Sequence, residues 1–114
     1  MHELSVCQGL LRQVERVATD HNARRVERIL LRIGALSGVE PTLLERAFEA
    51  ARLGTRAERA ELCIEAGPIV VRCRTCGGYS TVPPNRLLCG ACGNWQVTVT
   101  EGEELTLLSV DLEM

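Results

Sequence analysis

Aromatic residues are scarce in this chain of 114 residues, and the scarcity excludes one class of function. Phenylalanine, tyrosine and tryptophan occur once each, as Phe48, Tyr79 and Trp95. Proteins that bind single-stranded nucleic acid stack successive bases on several aromatic side chains. An excess of basic charge is missing as well, because 13 Lys and Arg residues face 15 Asp and Glu residues, for a net charge of −2. We therefore expect no nucleic-acid partner.

Long apolar runs are also missing from the sequence. No stretch approaches the ~20 apolar residues that a membrane-spanning helix needs. The first residues place Glu3 and Arg12 in an amphipathic pattern and lack the uninterrupted apolar run of a signal peptide. We therefore expect a cytoplasmic protein with no membrane partner, in a reducing compartment where cysteines stay available to metal.

Histidine is the third residue type in short supply, with two copies at His2 and His21. Neither histidine belongs to a pattern that activates a nucleophile or assembles an acid–base pair. The sequence therefore predicts that the protein is not an enzyme.

Cysteine, by contrast, is well represented, and four of the six cysteines follow the spacing C-x2-C-x12-C-x2-C. Each C-x-x-C pair can wrap a tight turn around one ion, and two pairs complete the tetrahedral four-sulfur site that suits zinc. Gly77 and Gly93 follow the two pairs, where the turn often needs a positive φ. A closed site has no open position for substrate, so this zinc is expected to be structural. The candidate zinc ligands are Cys73, Cys76, Cys89 and Cys92.

Other interpretations of the same spacing stay open. The four cysteines could form two disulfides, although paired spacing without secretory features is typical of metal binding. A zinc-ribbon adaptor that binds nucleic acid would share the spacing but should carry a basic or aromatic surface. A rubredoxin-like electron carrier would place iron in the four sulfurs, which leaves the rest of the chain unexplained.

Hydrophobic periodicity predicts the elements around the cysteines. Apolar residues at three- and four-residue steps predict a helix over 4–18 and a second one from Pro41 to Ala51, ended by Gly54. Alternation predicts strands at 26–33, in the run 61–71, at 97–100 and at 105–112.

These elements predict an α+β fold, with two helices on a small sheet of about three strands. The cysteine segment is too poor in apolar residues to build its own core, so we expect an inserted, zinc-ribbon-like domain stapled by the metal. The predicted domains are 1–71 plus 97–114 for the α+β core and 72–96 for the zinc-binding insert.

The sequence opens with a second candidate metal site, Met1-His2-Glu3. The terminal amine, the deprotonated backbone amide of His2 and its imidazole can form fused chelate rings in one plane. A planar set of nitrogen donors suits Ni(II) or Cu(II) and suits tetrahedral zinc poorly. The chain is thus expected to carry two metal sites of opposite character.

Four motifs together make a family resemblance visible. They are Met-His-Glu-Leu-Ser at 1–5, Gly-Ala-Leu-Ser-Gly-Val-Glu-Pro at 34–41, Gly54-Thr55 and the twin cysteine pairs. In this combination the chain closely resembles the HypA/HybF family along essentially its whole length. Members of that family are nickel metallochaperones for the maturation of nickel–iron hydrogenases.

The resemblance implies roles for the two metal sites and for partners. His2 would be the principal ligand of Ni2+ as cargo, helped by the Met1 amine and nearby backbone amides, with Glu3 adjacent. The four cysteines would hold structural Zn2+. The implied partners are a nickel-handling maturation GTPase and the hydrogenase large-subunit precursor, and a homodimer is one option for the assembly.

One departure from the family concerns histidine. Some members have histidines beside the cysteine pairs, which link the zinc site to acid-sensitive behaviour and urease activation. No histidine lies next to any of the four cysteines in this chain. We therefore expect service to a hydrogenase and no pH-sensing or urease role.

Overall fold

The structure, a computed structural model, describes residues 2–114, so Met1 of the predicted nickel site lies outside the described residues. The elements follow one another as α1 (His2–Asp20), β1 (Arg25–Gly34), α2 (Pro41–Ala51), β2 (Glu61–Gly67), β3 (Ile69–Cys73), β4 (Tyr79–Val82), β5 (Val97–Glu101) and β6 (Leu105–Glu113). Between residues 2 and 114, no helix combines the length and the apolarity that crossing a membrane requires.

The predicted α+β class is confirmed, and the strands form two small sheets. Sheet A has the order β2-β1-β6 and sheet B the order β4-β3-β5. The run 61–71, which was predicted as one extended segment, forms two strands that are separated at Pro68. Proline has no backbone N–H to donate to a ladder, which favours a strand break at this position.

The backbone groups into two compact units. The first contains the residues through Leu31 together with Val39–Glu65 and Thr106–Met114, and the second contains Arg32–Gly38 and Ala66–Leu105. The predicted domain bounds, 1–71 plus 97–114 for the α+β core and 72–96 for the zinc-binding insert, stay a prediction.

The core of the first unit lies under the two helices, which contact each other. One stripe of α1 is buried because its apolar residues recur every three or four positions. The face of β1 that carries Ile29 and Leu31 is fully buried, whereas Arg28 on the other face is exposed. The largest fully buried side chains of this unit are Phe48, Ile29, Leu31, Leu44, Val14, Val26 and Cys7.

Sheet B gives the second unit a small core of its own. Ile69, Val71 and Cys73 alternate along β3 and are buried. β5 pairs antiparallel with β3, with Val71 opposite Val99. Val97 and Val99 of β5 therefore belong to sheet B. The short apolar alternation at 97–100 predicted a strand but not the sheet that it joins.

Gly34, at the end of β1, lies against the turn between β5 and β6. The N–H of Leu36 donates to the Gly102 carbonyl at 2.8 Å, and the N–H of Gly34 donates to the Glu104 carbonyl at 2.9 Å. A Cβ built on Gly34 would lie 2.2 Å from the Gly102 carbonyl oxygen. Glycine is required here because a side chain would collide with backbone that cannot rotate away.

Gly34→Ala is expected to destabilise the protein by about 3 kcal/mol, in the upper range for overpacking a close contact. Gly9→Ala in α1 is the matched control, since its Cβ would meet only the Arg12 side chain, at 3.6 Å. Alanine there should stabilise by about 0.5–1 kcal/mol because glycine weakens a helix interior. Urea unfolding of both variants measures the two effects, and a neutral Gly34→Ala would contradict the close approach.

Candidate metal centres

The four predicted zinc ligands converge on one point in the second unit. Their sulfur atoms all lie within 4.8 Å of one another. The Sγ of Cys73 lies 3.6 Å from that of Cys92, and the Sγ of Cys76 lies 3.6 Å from that of Cys89. Zinc–sulfur bonds of about 2.3 Å place the corners of a tetrahedron roughly 3.8 Å apart. The donor set and its spacing therefore fit a tetrahedral four-thiolate metal site.

The two halves of the cluster, which we call the first knuckle (73–77) and the second knuckle (89–93), have the same backbone construction. The Gly77 N–H donates to the Cys73 carbonyl at 3.0 Å, and the Gly93 N–H donates to the Cys89 carbonyl at 2.9 Å. Both glycines have a φ of 75°. This left-handed conformation, which L side chains rarely adopt, redirects the chain immediately after the second cysteine of each pair.

Backbone N–H groups also point at one sulfur in each knuckle. In both halves the N–H groups two and three residues after the first cysteine donate to its sulfur, at 3.4 Å in each case. Such donors stabilise the thiolate form, which is the form that binds metal. The donors are Thr75 and Cys76 to Cys73, and Ala91 and Cys92 to Cys89.

The pKa is lowered for the first cysteine of each knuckle and raised for the second, where the neighbouring thiols outweigh the N–H groups of Gly78 and Asn94. The Cys76 N–H lowers the pKa of Cys73, and the N–H groups of Cys92 and Ala91 lower the pKa of Cys89 to about 6. Cys73 and Cys89 are also the two buried members, whereas Cys76 and Cys92 are exposed. The backbone N–H groups thus favour the thiolate form of the buried pair.

The predicted nickel ligands that the structure describes lie in the first turn of α1. His2 begins the helix and is exposed. The Glu3 carboxylate accepts a hydrogen bond from the backbone N–H of Glu40, at 3.3 Å. That bond, followed by one from its own backbone N–H, lowers the pKa of Glu3. The Glu3 carboxylate therefore links the first turn of α1 to the backbone of Glu40.

Glu40 is a residue of this region that the sequence analysis did not single out. It is the N-cap of α2, and its carboxylate accepts from the Leu43 N–H at 2.9 Å. The carboxylates of Glu3 and Glu40 therefore both accept hydrogen bonds from backbone N–H groups at the N-terminus of α2. The helix dipole favours negative charge at this end of a helix. The only sequence signal was Pro41, which marks the first turn of a helix, because glutamate is not among the preferred N-cap residues.

The fold and the thiolate cluster define a small α+β metal-binding protein, and comparison with known proteins gives its family. The family model described as "Hydrogenase/urease nickel incorporation, metallochaperone, hypA" matches residues 1–112. The chain therefore belongs to the HypA family, as the resemblance predicted.

Similar proteins agree with this assignment along their whole lengths. The chain is 50% identical to the hydrogenase maturation factor HypA of Nitrosospira multiformis over 112 residues, which cover 98% of this chain and 97% of that protein. It is 40% identical to the factor of the same name from Aquifex aeolicus, covering 100% of this chain and 99% of that one.

The fold matches solved structures of the family as well. The solution structure of the nickel metallochaperone HypA from Helicobacter pylori superposes with a TM-score of 0.75 at 27% identity, covering 97% of both chains. A second HypA solution structure superposes with a TM-score of 0.76 at 29% identity, covering 98% of this chain and 96% of that one. These neighbours carry the same arrangement of two helices with small sheets.

Proposed function

We propose that this protein binds Ni(II) through Met1, His2 and Glu3 and delivers it during nickel–iron hydrogenase maturation. The observation that carries the proposal is the first turn of α1, where His2 is exposed and Glu3 is anchored on the N–H of Glu40. The family name supports nickel as the cargo. In this role the protein carries a metal ion to another protein and performs no catalysis.

The helical position of His2 supplies the chemistry that nickel needs. The first four N–H groups of a helix have no carbonyl acceptor within the helix. Nickel can therefore replace the proton on a backbone amide nitrogen of the first turn without breaking the helical ladder, and the proton is released to solvent. Together with the imidazole of His2 and the amine of Met1, they would form a nitrogen-rich donor set of the kind that Ni(II) prefers.

Glu3 has a supporting role in this proposal. Its carboxylate is already occupied by the Glu40 N–H, so it fixes the course of the first turn and adds negative charge beside the cation. The Glu40 carboxylate, at the N-cap of α2, adds a second negative charge close to Glu3. Both charges favour the retention of a divalent cation.

We assign zinc to Cys73, Cys76, Cys89 and Cys92 as a structural ion. Its four thiolate ligands would leave no open coordination position, and its chemistry is to crosslink the two knuckles. The proposed site of action is the cytoplasm, with a nickel-handling GTPase and a hydrogenase large-subunit precursor as partners. Because no histidine flanks the cysteines, we assign no urease or pH-sensing role.

The two metals are expected to leave at different pH values as the solution is acidified. Amine and imidazole nitrogens bind nickel only in their deprotonated form, so nickel binding by these donors weakens as the solution is acidified. The pKa of Cys89 is lowered to about 6 even without metal. The stability that its thiolate contributes in the metal-free protein is complete above about pH 9 and is lost as pH falls through 6. A bound metal pushes that loss to still lower pH, because it displaces the thiol proton outright.

Titration of the untagged, zinc-loaded protein with nickel at pH values from 8 to 6, with both metals counted by mass spectrometry, tests the proposal. We expect one nickel and one zinc per chain at pH 8, and nickel loss before zinc loss on acidification. Release of zinc before nickel, or no nickel binding at pH 8, would overturn the assignment.

A further inference from the structure

The outer face of sheet B carries an ordered row of polar side chains that the nickel and zinc sites do not use. Arg72 of β3 is opposite Tyr79 of β4 and opposite Thr98 of β5. Residues that face each other in neighbouring strands project from the same side of a sheet. The buried residues of β3, Val71 and Cys73, project from the other side. The row Tyr79–Arg72–Thr98 therefore forms a surface directed at solvent.

Two arginines on this surface are held in place by neutral groups. The Arg72 guanidinium lies over the Tyr79 ring, 5.9 Å from its centroid. The Arg74 Nε donates to the Thr98 hydroxyl at 3.1 Å. Among residues 2–114, neither guanidinium forms an ion pair with a carboxylate, unlike Arg25, which pairs with Glu113 at 2.7 Å. Two fixed positive charges are thus left with donors to spare, since each guanidinium has five N–H groups.

The surface borders a cleft of about 610 Å³, which is lined by Tyr79 and also by part of the first knuckle, including Cys73 and Cys76. Tyr79 lines the cleft and is 67% exposed. Trp95 is 74% exposed, and the residues on either side of it bond to the rim, since Asn94 donates to the Thr75 hydroxyl and Gln96 accepts from the Arg74 N–H. Apart from Phe48 in the core, these are all the aromatic residues that the chain possesses.

We propose that this face, which we call the arginine–tyrosine face (Arg72, Arg74, Tyr79, Thr98), binds an acidic peptide segment of a partner protein. Tyrosine, tryptophan and arginine are the residue types that dominate the energetics of protein interfaces. Arginine forks bind carboxylates bidentately, and the row of hydroxyl groups can hydrogen-bond to an extended backbone. Beside Cys73, Cys76 and Gly77 of the first knuckle, the cleft is lined by polar or partly polar side chains, whereas small-molecule sites are largely apolar. The proposal does not depend on nickel binding.

The arginines could instead serve the thiolate cluster. Four thiolates on one divalent ion carry a net double negative charge, and Arg72 and Arg74 are close to Cys73 in the chain. On that explanation, replacing the two arginines would weaken zinc binding. The unchanged protein would show no affinity for acidic peptides. Zinc content and peptide affinity, measured on the same variants, separate the two explanations.

The test uses the zinc-loaded full chain, labelled with 15N, and a pair of synthetic peptides. One is an eight-residue Gly-Glu repeat, and the other is the neutral Gly-Gln repeat of the same length. We expect the acidic peptide to shift the amide signals of Arg72, Arg74 and Tyr79, and the neutral peptide to leave them in place. Arg72→Gln combined with Arg74→Gln should weaken acidic-peptide binding about tenfold or more while zinc stays at one per chain. Arg46→Gln, an exposed arginine on α2, is the matched control and should bind like the unchanged protein.

Each other outcome overturns the proposal. Zinc loss on replacing the arginines would assign them to the cluster. Equal shifts from inorganic pyrophosphate and from the acidic peptide would assign the face to small anions, and self-association abolished by the same replacements would assign it to a second copy of the chain. Acidic-peptide shifts that map away from sheet B would refute it directly, even if the double variant failed to fold.

Discussion

Replacing His2 by alanine is expected to weaken nickel binding at least 10–100-fold while zinc content and thermal unfolding stay unchanged. The substitution removes an inner ligand, whereas a factor of about 10–100 is typical for the loss of outer-shell groups. His2 is exposed at the start of α1, so its side chain contributes nothing to the buried core. Calorimetric titration with nickel of the unchanged protein and of His2→Ala measures the effect.

Adding one residue before Met1 should have an effect of similar size, because it converts a chelating amine into an ordinary amide. This variant keeps the imidazole, so it tests whether the position of His2 in the chain matters as well as its presence. Glu3→Gln is the graded control. Its amide oxygen can still accept from the Glu40 N–H, so nickel affinity should fall less than in His2→Ala. Equal nickel affinities in the unchanged, extended and His2→Ala proteins would rule out the N-terminal site.

Cys76→Ser and Cys89→Ser are each expected to abolish stable zinc binding and to disorder approximately residues 72–96. A four-thiolate site in a zinc-finger peptide contributes about 10–16 kcal/mol of apparent binding free energy, and that free energy is what orders the chain around it. The core of the first unit, built on residues such as Phe48 and Ile29, should survive. Zinc analysis and limited proteolysis with mapping of the cleavage sites measure the two effects.

Cys63→Ser is the matched control for this prediction. Cys63 is half-buried on β2, outside the cluster, so its replacement should leave zinc and protease resistance as they are. Unchanged protease resistance of 72–96 in the zinc-free variants would contradict a structural role for the metal. A red protein with an iron-type visible spectrum would show that the four sulfurs hold iron, as in an electron carrier.

Sequence reasoning succeeded where one local pattern determines the structure. The helices follow from three- and four-residue apolar spacing, and the buried face of β1 follows from the alternation of Ile29, Leu31 and Ile33 with their neighbours. The cysteine cluster was predictable to the individual residue, because the C-x-x-C spacing fixes both the turn and the ligand geometry. Gly77 and Gly93 were correctly expected in turns that need a positive φ.

Long-range partnerships were not predictable in the same way. Val97 and Val99 alternate as any half-buried strand does, and alternation carries no information about which sheet the strand joins. The contact between Glu3 and the N–H of Glu40 joins residues 37 positions apart, and neither residue carries a local signal for it. Residues whose role depends on a distant partner thus became visible only in the folded chain.

The matching construction of the two knuckles has a consequence for how the cluster assembles. In each knuckle the N–H groups that donate to the carbonyl and sulfur of the first cysteine lie at most four residues after it, so each turn can form without the other, on the sub-microsecond timescale of short loops. Whichever knuckle meets the ion first holds it with two thiolates. The other, tethered by 12 residues between Cys76 and Cys89, then arrives at an effective concentration in the millimolar range. Zinc capture at the proposed site would therefore be an intramolecular closure that can start from either knuckle.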